Sequence, residues 1–222
     1  MIPTLLLLKW FHIIAMVYWL GGEWGVFQTS YHVTNPKLSL EERRRHMETA
    51  YRIDILARLG IILLLPIGLH MGFLWGTQPL GGGWLVLMWI LTTGWVGLAL
   101  AAFVKRGTDA GIRLTIWDER IRYVLIPVLA TLAIVSLVND YPFQQNWYAT
   151  KVLLYSGLLV IGLILRFVMR HWTETFRQLA AGGPRAELEA KLGREIRVAR
   201  RLAYFYWIGI GTVAFIGVTK FF

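Results

Sequence analysis

Six apolar stretches, near or above the roughly 18–20 residues that cross a bilayer core, take up most of this chain. They fall near 3–29, 51–76, 83–104, 122–139, 147–170 and 202–222. Inside lipid, a continuous apolar segment can satisfy its backbone only as a helix. The predicted fold class is therefore all-α, a polytopic membrane bundle of about six transmembrane helices. The 222 residues are read as one bundle domain, since no connector is long enough to build a second. The first stretch lacks a basic leader and a small-residue cleavage site, so it is expected to be a retained helix.

Composition agrees. Hydrophobic residues make up 56% of the chain and Trp occurs 11 times, against 45–50% apolar in typical soluble domains. There is no cysteine, which excludes disulfides, thiolate metal sites and iron–sulfur clusters held by this chain alone. The net charge of +10 invites a nucleic-acid reading, but its distribution points elsewhere. Lys37, Arg43, Arg44 and Arg45 lie in the first connector. Lys105, Arg106, Arg113 and Arg120 lie in the third, and seven more basic residues from Arg177 to Arg201 lie in the fifth. The second and fourth connectors (77–82 and 140–146) have none. The positive-inside rule then makes odd connectors cytoplasmic and both termini external, and anionic lipid accounts for the charge. The expected setting is a bacterial inner membrane, with the lipid bilayer as partner and no nucleic acid. The fifth connector is expected to break at Gly182, Gly183 and Pro184. A charged surface helix follows over 185–201, with Glu187 and Lys191 four apart.

Polar groups inside a bilayer are costly and need a partner or a role. In the first span Lys9, His12, Met16, Trp19 and Glu23 recur at steps of three and four. That spacing places them on one helix face, which predicts a stripe turned to the bundle interior. In the second span Asp54 and Arg58 are one turn apart, and a structural ion pair between Glu23 and Arg58 would offset the burial of both. Pro66 is expected to kink this span, and Gly68 and Gly72 to admit a close neighbour. By depth, Lys9, His12, His70 and Lys151 converge on the external side. Two neutral imidazoles facing each other in an apolar bundle suit a haem iron. His12 and His70 are the candidate metal ligands. Lys9 and Lys151 are candidates for the propionates, and Trp10, Trp19 and Trp75 for the aromatic walls. His32, His46 and His171 lie near the cytoplasmic surface and are expected to be solvated.

The run Lys9-Trp10-Phe11-His12 through Trp19-Leu20-Gly21 resembles the opening helix of the CopD-like and HemJ-like bacterial membrane proteins. Trp147-Tyr148-Ala149-Thr150-Lys151 is similar to the Trp-x-x-x-Lys that opens a later helix of the HemJ group. The resemblance covers about half the chain. It implies haem binding and protoporphyrinogen oxidation (HemJ) or copper handling (CopD). It makes His12 the haem-ligand or catalytic histidine and Lys151 the essential lysine. The chain departs from the HemJ pattern in its extra helices around spans 3 and 4 and in its ending.

Four functional expectations follow. The first is a cytochrome b that carries electrons between a quinol and a redox partner protein at the external face. The second is a HemJ-type protoporphyrinogen IX oxidase, with His12 and Lys151 handling protons. The third is copper handling, for which Met16, Met71 and Met88 are compatible soft ligands. The fourth is a non-catalytic subunit, packed against a membrane complex or against copies of itself.

Overall fold

The computed structural model describes residues 2–182 and 185–221. It contains six α-helices: α1 (Thr4–Val33), α2 (Leu40–Leu74), α3 (Gly83–Val104), α4 (Asp109–Asn139), α5 (Asn146–Ala180) and α6 (Arg185–Thr219). No strand occurs among the described residues. All six helices are long and apolar enough to cross a membrane, which makes this a multi-pass membrane protein.

The helices outrun the apolar spans because capping, not hydropathy, sets where they start. Ser39 and Glu42 form a capping box, the Ser39 hydroxyl accepting from the Glu42 N–H and the Glu42 carboxylate from the Ser39 N–H. α2 therefore begins at Leu40 rather than near 51. The Thr108 hydroxyl accepts from the Gly111 N–H in the same way, so α4 takes in Asp118 and Glu119, which precede the apolar stretch. The charged segment 185–201 and the last span are one continuous helix. Gly182 turns the chain ahead of it with a φ of 81°, a conformation that favours glycine. Gly183 and Pro184, the rest of the expected break, lie outside the described residues. Pro66 sits inside α2 without ending it.

Each helix packs against its chain neighbour, α6 closes back on α1, and α2 touches α5 across the middle. α2 and α5 are accordingly the central, most buried pair, with α1 and α6 on one side and α3 and α4 on the other. Tyrosines bind the pair together through backbone carbonyls. Tyr155 donates to the Ile61 carbonyl at 2.6 Å, Tyr148 to that of Gly68 at 3.1 Å, and Tyr51 to that of Met169 at 2.8 Å. α1 lies against α2 through small residues. A methyl group added at Gly60 would meet the Ala15 carbonyl oxygen at 2.5 Å, and one at Gly22 would meet the Ala57 Cβ at 2.9 Å. Small residues that let backbones approach are how helices gain contact area in lipid, where no hydrophobic force draws them together. Outward-facing Ile90, Leu91, Val124 and Ile208 are exposed and form an apolar skin suited to the bilayer.

Six consecutive crossings place the connectors after α1, α3 and α5 at one end, the basic end. Arg43 is fully buried there. It grips Glu189 of α6 in bidentate fashion at 2.5 and 2.9 Å, donates to the Val33 carbonyl at 2.8 Å, and lies over the Phe176 ring. This one side chain ties the end of α1 and the starts of α2 and α6 together.

Candidate functional site

The end away from the basic connectors carries the histidine and lysine that the sequence singles out. His12 is half-buried on α1, and its buried Nδ1 has no hydrogen-bond partner among the described residues. Its Cε1 packs on Gly68 of α2, where an added methyl would meet it at 3.5 Å. Lys151 comes from the first turns of α5. Its Nζ fills the place a side chain would take at Gly217 of α6, and its charge reaches His12. Tyr148, one turn earlier, covers Gly72 with its hydroxyl. Lys220, just past α6, lies 4.1 Å over the Trp75 ring and 5.1 Å over that of Trp147. The imidazole itself packs on α2, and the contacts of Tyr148, Lys151 and Lys220 join α2, α5 and α6 at the same end.

The expected partner imidazole is elsewhere. His70 faces α3, where its Nδ1 accepts a hydrogen bond from the Trp89 indole at 3.3 Å, and it lines a groove with Leu85, Val86 and Trp89. The reason is helical phase. Gly68 faces α1, and two residues on an α-helix turn through about 200°, so His70 points away from His12. His12 and His70 therefore face different neighbours, Gly68 of α2 and Trp89 of α3 respectively. Two other expectations also change. Lys9 is exposed, so the polar face of α1 turns inward only from His12 onward. Trp19, expected as a cofactor wall, belongs to the core. It donates to the Tyr206 hydroxyl at 3.1 Å and meets Tyr155 and Tyr206 edge-on. Of the outlying histidines, His32 and His46 stack with ring centroids 4.4 Å apart, and His171 lies 3.5 Å from Glu195.

Nearer the basic end the helices surround a charged chamber of about 70 Å³, partly open to its surroundings. Glu23 and Arg58 both line it, yet the pair expected between them is not the one formed. Arg58 is bonded to Asp54, one turn back on its own helix. That partner comes already aligned by the helix, whereas Glu23 must be reached across an interface. Glu23 still lies within the electrostatic reach of Asp54, Arg58 and Arg122.

The main charge network at this end lies outside the pairs expected from sequence. Asp118 of α4 is 1% exposed. It accepts from the Trp95 indole of α3 at 2.5 Å, lies 3.5 Å from Arg122 one turn on, and pairs with Arg166 of α5. Arg170 pairs with Glu119 at 3.3 Å. Three helices are held by one carboxylate. At an effective dielectric constant near 20, unit charges 4 Å apart interact by about 4 kcal/mol, so neither buried arginine is stable here without that acid. Two signals for it stood in the sequence: the four-residue step from Asp118 to Arg122, and two arginines, Arg166 and Arg170, at the inner end of an apolar span.

Among the described residues no three His, Asp or Glu side chains converge as a metal-ion site. No family model matches the chain, and neither does any curated protein or any solved structure.

Proposed function

We propose that this chain is a multi-pass membrane redox protein, set in a bacterial inner membrane with its basic end in the cytoplasm, that binds haem b through His12 alone. The observation that carries the reading is the imidazole of His12, packed on Gly68 with a buried Nδ1 that has no partner among the described residues. The donor set fits a single-histidine site. His12 Nδ1 is buried and without a partner, which is costly unless that nitrogen has something to bind. His70 Nδ1 is committed to Trp89. His12 would hold the iron, and Lys151 would face a propionate with Lys220 at the rim. Bound there, haem supplies one-electron transfer, and the quinol and the redox partner would be its donor and acceptor. The protein's own part is to keep the imidazole in a low-dielectric pocket and to present fixed cations to carboxylates.

His12 and Lys151 are also the two residues that the HemJ resemblance marks. Their proximity favours a second reading of the same site, a protoporphyrinogen oxidase in which the imidazole and the amine accept protons from the tetrapyrrole. Turnover of added protoporphyrinogen, present or absent, separates the two. Copper handling would have to rest on the methionines, since among the described residues no three imidazoles and carboxylates converge.

Titration of the detergent-purified chain with haem b tests the site. The wild type is expected to give a saturable shift of the Soret band. Lys151→Ala should bind at least about tenfold more weakly, the size of one lost charge-assisted hydrogen bond of about 1.5–3 kcal/mol. His12→Ala should show no saturable shift. A wild-type titration with no saturation would overturn the reading.

A further inference from the structure

The chamber near the basic end has a composition that the His12 site does not explain. Four guanidiniums line it, from Arg58, Arg122, Arg166 and Arg200. The acids available to them are Asp54 and Glu23 in the lining, and Asp118 behind Arg122 and Arg166. Three carboxylates against four guanidiniums leave a positive surplus inside a bundle, where an uncompensated charge is expensive.

Arg200 is where the surplus is most exposed to a ligand. It donates to the Ser30 hydroxyl at 3.1 Å and the Thr34 hydroxyl at 3.3 Å, and its guanidinium lies 3.8 Å over the Tyr31 ring. Those partners are neutral, and Arg200 pairs with no carboxylate among the described residues. They hold the guanidinium in place without neutralising it. A second, independent group also awaits an acceptor. Trp172 is 2% exposed and lines the chamber, and its buried Nε1–H has no hydrogen-bond partner among the described residues. The remaining wall is apolar, with Val26, Leu165, Met169 and Ile196 among its members.

We propose that this chamber binds an amphiphilic anion, a phosphate or carboxylate head held between Arg200 and the inner arginines with an apolar tail along the aliphatic wall. A planar guanidinium presents paired donors to two oxygens of such a head. Basic pockets between transmembrane helices on the cytoplasmic side are suited to anionic lipid headgroups, and a diffusible anion of the same chemistry would use the same contacts. The inference does not depend on the haem reading, which concerns the opposite end.

The test uses the full chain in neutral detergent, with thermal unfolding as the readout and dodecyl phosphate as the probe. A ligand that binds only the folded state raises the unfolding temperature in a saturable way. Dodecyl phosphate should do so, while inorganic phosphate should do so only weakly and dodecanol not at all. Arg200→Gln should weaken the apparent affinity at least tenfold. Glu23→Gln, which removes an acid from the chamber, should strengthen it, and it decides the matter if the arginine variant does not fold. No saturable rise, an equal rise with dodecanol, or unchanged affinity in both variants would overturn the proposal. Native mass spectrometry then gives the source. Anionic lipid carried through purification by the wild type and lost in Arg200→Gln identifies a membrane lipid. Dodecyl phosphate binding to a chain that carries no lipid identifies a diffusible anion.

Discussion

Replacing Asp118 by Asn is expected to destabilise the protein by about 3–5 kcal/mol, the cost of breaking a buried ion pair from one side. Asn keeps an oxygen for the Trp95 indole, so the change isolates the charge. What is left behind is Arg122 at 3% exposure and Arg166 at 7%, two guanidiniums that share the one carboxylate. Thermal unfolding in detergent measures the loss. The sharper arm is a compensated variant, Asp118→Leu with Arg122→Met and Arg166→Met, which removes the charges together and should recover most of the lost stability, because apolar replacement of a whole buried ion cluster is often neutral or better. If Asp118→Asn unfolds at the wild-type temperature, the network does not hold α3, α4 and α5 as described.

The second large effect is expected at Gly60, where α2 lies against the backbone of α1. An added methyl there would sit 2.5 Å from the Ala15 carbonyl oxygen and 2.9 Å from the Trp19 nitrogen. Neither is a side chain that can swing aside, so the helices must part. Gly60→Ala should cost about 1–3 kcal/mol from overpacking. It should also weaken haem binding, since α1 carries His12. Gly21 is the matched control. It lies on α1 with nothing within 4 Å of an added methyl, so Gly21→Ala should be neutral or stabilising by up to about 1 kcal/mol, the helix-propensity difference alone. The pair is read by thermal unfolding side by side. Equal behaviour of the two variants would mean that α1 and α2 do not approach this closely.

The six crossings and the two ends of the bundle were legible because they depend on local quantities, apolar length and the placement of Lys and Arg. Helix starts were less so. Hydropathy marks where lipid begins, while Ser39 and Thr108 decide where helices begin. That distinction had a consequence for the site. Starting the fourth span at 122 left Asp118 and Glu119 in a connector, although the helix carries both into the bundle and Asp118 becomes the centre of its charge network. At the other end, the sequence sets an expected depth for His12, His70 and Lys151 from their places along the spans. Depth says nothing about azimuth. His70 turns toward Trp89 of α3, while Gly60 and Gly68 give their face of α2 to α1. Glu23 and Arg58 show the same limit. Their proximity was foreseen, but the choice of partner went to Asp54, already held one turn away.

The most direct measurement of the central claim is the reduced-minus-oxidised visible spectrum of three proteins purified alike from cells with ample haem: wild type, His70→Ala and His12→Ala. The account predicts a haem b signal in the wild type, the same haem content in His70→Ala, and none in His12→Ala with the bundle still folded. A featureless wild-type spectrum, or a signal that survives in His12→Ala, would contradict it.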